Sequence, residues 1–190
     1  MIISAYGKTQ FGPPPPSVRD VRRRLAACIV RAALDETRAM DALWASLTRE
    51  PCRPLVLRRH KQFVGEHLAF FFSVAEGFLR QCFKNSTDSF FEELTDVTCV
   101  QALTDPSVPM PYGYVGQLPA KRYISYRQAV TTRRMELWRV HPYATIGSLA
   151  DLSTEHLLTA AAIPRSQEGQ VNNVIHNRLK WAGLELVGRL

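Results

Sequence analysis

Amide and cationic side chains gather near the carboxy terminus in a spacing suited to hydrogen bonding with nucleic-acid bases. Laid out at about 100° per residue, the run from Ser166 to about Ala182 turns Gly169, Asn173, His176, Asn177 and Lys180 to one side. Val171, Ile175, Arg178, Leu179 and Ala182 turn to the other. An amide pairs bidentately with adenine in a major groove, and arginine or lysine meets guanine or phosphate. Gln170, Asn173 and Asn177, beside Arg165, His176 and Lys180, therefore form a candidate base-reading set. A solvated surface helix would also carry such a face.

Two further groups offer charge. Arg22, Arg23 and Arg24 stand together near the start of a long amphipathic run, where three cations oppose the helix dipole. They could grip a phosphate backbone or simply be solvated. Lys121, Arg122 and Arg127 alternate with Tyr112, Tyr114, Tyr123 and Tyr126, a mixture that can stack unpaired bases or pack at a domain seam. His67 next to Glu66 borders a phenylalanine-rich run and reads as a core or boundary histidine.

Catalytic signatures are missing from the sequence. It contains no Gly-x-x-x-x-Gly-Lys, Gly-x-Gly-x-x-Gly, Gly-x-Ser-x-Gly or His-Glu-x-x-His. Cys28, Cys52, Cys82 and Cys99 are too far apart in sequence for a paired zinc motif and are expected to be free, buried thiols. No enzyme activity, cofactor or metal is expected.

The elements that must carry these residues are mostly helices. Residues 1–16 end in Gly12-Pro13-Pro14-Pro15-Pro16, a stiff extended arm. Ser17 can cap a helix of up to about thirty residues, because Val18, Val21, Leu25, Ile29 and Ala32, and again Met40 and Leu43, step by three and four. Glu50-Pro51 breaks it. Leu55 to Phe83 resumes as a helix that is apolar all round from Leu68, so it should be buried on all sides. Ser86 to Ser89 introduces another helix, Phe90 to about Leu103, and a proline-rich loop spans 104–119. A helix from Lys121 to about Val140 ends at His141-Pro142.

Beyond Pro142, Ser153 is expected to cap a helix of about three turns, Ile163-Pro164 to stop it, and Ser166 to cap a second helix. Gly183 then sits where a left-handed C-terminal cap is usual, and Leu184-Glu185-Leu186-Val187 alternates as a strand would.

The pattern Leu157-x-x-Ala160-x-x-Ile163-Pro164, then Val174-x-x-x-Arg178-Leu179-Lys180-x-x-Gly183-Leu184-Glu185, resembles the winged helix-turn-helix at the C-terminus of virulence-associated-E-type primase/helicase proteins of phages and plasmids. The resemblance covers about 40 of 190 residues. It implies duplex-DNA binding in a mobile-element or defence context.

The formal net charge of +7 is unevenly spread. Residues 1–60 hold 11 basic and 5 acidic side chains, 61–120 hold 3 and 7, and 121–190 hold 10 and 5. Cationic ends around an acidic middle suit extremities that meet phosphate and a centre that meets protein. No membrane span or secretory signal is evident, so the chain is expected to be cytoplasmic.

The expected fold is mainly α: an arm (1–16), a helical body (17–141) and a small winged-helix-like module (142–190). The expected function is that of a DNA-binding accessory or regulatory protein of a mobile genetic element or bacterial defence system. Its body would hold a protein partner or form a homodimer. The alternative is a helical subunit of a nucleoprotein complex such as an RNA-guided surveillance complex, in which arginine-lined helices hold the backbone and the carboxy-terminal module docks on a neighbour.

Overall fold

The computed structural model describes residues 16–48, 53–82, 88–105, 142–161 and 165–190. They form five helices: α1 (Val18–Thr48), α2 (Arg53–Cys82), α3 (Asp88–Thr104), α4 (Pro142–Ala161) and α5 (Arg165–Arg189).

Ser17 does cap α1. Its hydroxyl accepts from the Asp20 amide at 3.1 Å and donates to the Asp20 carboxylate at 2.6 Å. That bond holds the Asp20 carboxyl below the usual carboxylate range. The apolar stripe of α1 buries Ala26, Ile29, Val30, Ala33, Leu34 and Met40, while Val18 and Val21 in its first turn stay exposed.

Every residue of α2 from Phe63 to Gly77 is buried, as a run apolar on all faces requires. The reason is its position: α1 packs on one side of it, and α4 and α5 on another. Phe70 and Phe71 meet edge to face at 5.0 Å within this core, and each such ring contributes about 1.5–3 kcal/mol through burial. Arg80, near the end of α2, ties it to α3. Its guanidinium bonds Glu76 and Asp88 and lies 4.2 Å over the Phe91 ring. Burial disfavours that charge, but the bonds to Asp88 and Glu76 outweigh it and keep the arginine protonated.

The carboxy-terminal pair departs from the sequence reading in three places. First, α4 begins at Pro142 rather than near Ser153. Proline suits the first helical position because its missing amide hydrogen would be unpaired there anyway. Ser153 is consequently a buried mid-helix residue and not a cap. Second, α5 starts at Arg165, just after Pro164, but runs through Gly183 to Arg189. Leu184 to Val187 continue the helix, so no strand, and hence no wing, occurs among the described residues.

Third, Gly183 is a packing residue and not a left-handed cap. A Cβ there would lie 2.9 Å from Ile146 Cγ2 and 3.4 Å from Phe70 Cζ. Its bare backbone lets α5 approach α4 and α2. Asp151 meets His176 and Ile146 meets Gly183, so α4 and α5 run antiparallel over roughly one and a half to two turns. The pair is an antiparallel hairpin whose Ile146, Leu149, Leu157, Ile175 and Leu179 join one core with α1 and α2.

The expected helix from Lys121 to Val140, the loop 104–119 beyond Asp105 with its tyrosines, the arm up to Pro15, and Cys52 lie outside the described residues. Of the other cysteines, Cys82 is exposed and Cys28 and Cys99 are half-buried, a correction to the expectation of buried thiols. Burial pushes the Cys99 thiol pKa up, with the Asp96 carboxylate adding to it.

Candidate nucleic-acid interface

Consecutive helix positions point about 100° apart, so three neighbouring arginines cannot share a face. Arg22 turns toward α3, where it pairs with Glu93 and its guanidinium carbon sits 5.2 Å from the Phe90 ring centroid. Only 19% of its side chain is exposed. Arg23 and Arg24 remain outside, and Gln101 Nε2 donates to the Arg23 carbonyl at 3.2 Å, joining α3 to α1. The expected triple-arginine grip is therefore not one unit.

A different arginine row takes its place. Arg24, Arg31 and Arg38 recur every seven residues and are all exposed on one side of α1. At 1.5 Å rise per residue they stand about 10 Å apart. With Arg19 and Arg23 they make five exposed arginines on α1 against two exposed aspartates, Asp20 and Asp35. Asp35 lies 3.1 Å from Arg38 and 3.9 Å from Arg31 and holds both heads to the row. Beside the row, Val30, Leu34 and Gln101 help line a groove of about 380 Å³ between α1 and α3.

On α5, the helical arc drawn from the sequence agrees with the packing. Val171, Ile175 and Leu179 are buried, and Asn173 and Asn177 are exposed. Of its cations, the arc sets Arg178 on the inward side and His176 and Lys180 on the outward one. Arg178 reaches back to the buried Glu36 of α1, with Nη2 donating to Oε2 at 3.2 Å and Nε paired to Oε1. His176 is half-buried, with Nδ1 2.8 Å from Asp151 Oδ1. Lys180 is half-buried as well. Arg165 and Gln170 belong to α5, but their side chains lie outside those described. Lys121 and Arg122 lie outside the described residues altogether.

Burial is the main influence on Glu36 and pushes its pKa up, against the bond and charge of Arg178, while Glu185 nearby adds to the rise. Two more polar struts cross the core. Thr37 of α1 and the fully buried His67 Nδ1 of α2 lie 2.8 Å apart, and His156 Nδ1 of α4 lies 3.2 Å from Glu66 Oε2 of α2. His67 is thus the core histidine that its phenylalanine neighbours implied. Among the described residues no three His, Cys, Asp or Glu side chains gather as metal ligands would.

Sequence reasoning passed over Trp181 and Val174. They are 68% and 50% exposed on the outer side of α5, beside Asn177. Their seven-residue separation was the available signal. No described helix is long and apolar enough to cross a membrane. Comparison with models of protein families, with curated proteins and with solved structures finds no match to this chain.

Proposed function

We propose that this chain is a helical subunit of a nucleoprotein assembly, with the arginine row of α1 along a nucleic-acid backbone and the outer side of α5 docked on a neighbouring protein. The observation that carries the reading is the row itself: Arg24, Arg31 and Arg38 exposed at even steps on a helix whose exposed residues include five arginines and two aspartates. Cations so placed bind by displacing counterions from phosphate, which requires no base contact. The antiparallel α4–α5 hairpin supports docking over groove insertion, because its two helices share the core and no wing follows among the described residues.

The test is a salt titration of full-length protein on duplex and single-stranded oligonucleotides. Replacing Arg24, Arg31 and Arg38 together by alanine flattens log K against log[salt] by about 0.9 per lost contact on duplex, or about 0.7 on a single strand. Arg22→Ala, which removes an internal pair, leaves the slope unchanged. A parental slope in the triple variant would overturn the reading.

A second reading is supported by the exposure of Asn173 and Asn177 about one turn apart. Here α5 reads duplex DNA, as in a regulatory protein of a mobile element or defence system. Asn173→Ala would then lower the preference for one sequence over a scrambled one, by roughly 1–3 kcal/mol, without altering the salt slope.

A further inference from the structure

The outer side of α5 carries a repeat that its packing on the core does not use. Val174, Trp181 and Gly188 are seven residues apart, and Asn177 and Leu184 fall three after the first two. That is the a and d spacing of a two-helix seam. The seam is nearly opposite the stripe of Val171, Ile175, Leu179 and Leu186 that the core buries. Val174 and Trp181 are exposed, Leu184 is half-buried at the edge, and a Cβ added at Gly188 would meet nothing within 4 Å.

The charges flanking the seam select what covers it. Arg178 and Glu185 occupy successive positions on the same flank. Two copies of α5 laid antiparallel in the register that opposes Arg178 to the second copy's Glu185 form that pair twice, once on each side of a two-fold axis. The same register sets each Trp181 beside the second copy's Leu184, and each Asn177 opposite its Gly188, where there is room. Arg178 keeps 44% of its side chain exposed while bound to Glu36, and Glu185 is 68% exposed, so both can take another partner.

We infer that α5 is a self-association surface whose partner is a second copy of this chain. The inference rests on reading α5 as the docking side of the protein, and it names the neighbour. A seam of about four turns is smaller than a standard protein interface, so the dimer is weak and concentration-dependent.

Sedimentation of the full chain without nucleic acid, from low to high micromolar concentration, is the test. Average mass rises from monomer toward dimer, and added salt shifts the midpoint upward because a charged pair contributes. Trp181→Glu and Glu185→Arg stay monomeric across the range with parental helicity and Tm. A parental chain that is monomeric throughout, or variants that dimerise like the parent, overturn the inference. A parent that stays monomeric yet binds oligonucleotides with a salt slope that the triple arginine variant flattens sinks only the dimer, whereas dimerisation without oligonucleotide binding sinks the nucleic-acid reading instead. If the parent stays monomeric and Trp181→Glu weakens oligonucleotide binding, the surface belongs to nucleic acid and the dimer is wrong.

Discussion

Two glycines of α5 meet opposite surroundings, and the same substitution should move stability in opposite directions. At Gly183 an alanine methyl would press on Ile146 and Phe70, so Gly183→Ala costs about 1–3 kcal/mol through overpacking. At Gly188 the space is open, and Gly188→Ala gains up to about 1 kcal/mol because alanine favours helix. Denaturant midpoints of the two variants check both signs, and equal effects would place Gly183 outside the α4–α5 contact. Glu36 supplies a pH dependence. Its folded-state pKa lies above its unfolded value, so the native state binds the proton more tightly. Its contribution is fully present below the unfolded pKa and is lost as pH rises through the folded one. From about pH 4 to about pH 7 the parental protein should lose more of its denaturant midpoint than Glu36→Gln does. Identical profiles would show that Glu36 does not titrate with folding.

At the scale of the helix, Ser153 distinguishes the observed α4 from the shorter helix that its sequence suggests. A cap residue replaced by alanine costs about 1 kcal/mol, whereas Ser153 is buried mid-helix and its hydroxyl finds no hydrogen-bond partner among the described residues. Ser153→Ala should therefore leave thermal stability unchanged or raise it, and a clear fall in Tm would restore the cap. The first three helices were legible because their stripes are long and their breaks are prolines or caps. Ser17 announced α1, and the run around Phe70 announced burial on all sides. The end of α5 was not legible, for a reason visible in its residues. Leu184-Glu185-Leu186-Val187 alternates over four positions, yet Leu186 also falls seven after Leu179 on the helical stripe. Four residues cannot separate a period of 2 from one of 3.6. The candidate site was legible to the same degree. The exposure of Asn173 and Asn177 followed from the helical arc, but the inward turn of Arg22 depends on Glu93 and Phe90 of another helix. The partners of Arg178 and His176 likewise come from α1 and α4.

Across the whole molecule, polar contacts link helices that are distant in sequence: Glu36 to Arg178, Thr37 to His67 and Glu66 to His156. Removing one member of such a pair takes a partner from the other, and so does sliding one helix by a turn. These contacts therefore penalise alternative registers even where they add little net stability. Cationic α1 and the outer side of α5 are consequently held at fixed places on one body, as the proposed two-sided attachment to nucleic acid and a second copy would require. The shared core also bears on how such a protein could arise. Residues 142–190 bury Ile146, Leu149, Leu157, Ile175 and Leu179 in a core that α1 and α2 share. Gene recombination spreads most readily the domains that carry a whole core of their own, and this hairpin shares its core with α1 and α2. A copy of the hairpin moved without α1 and α2 would leave behind the helices that complete that core.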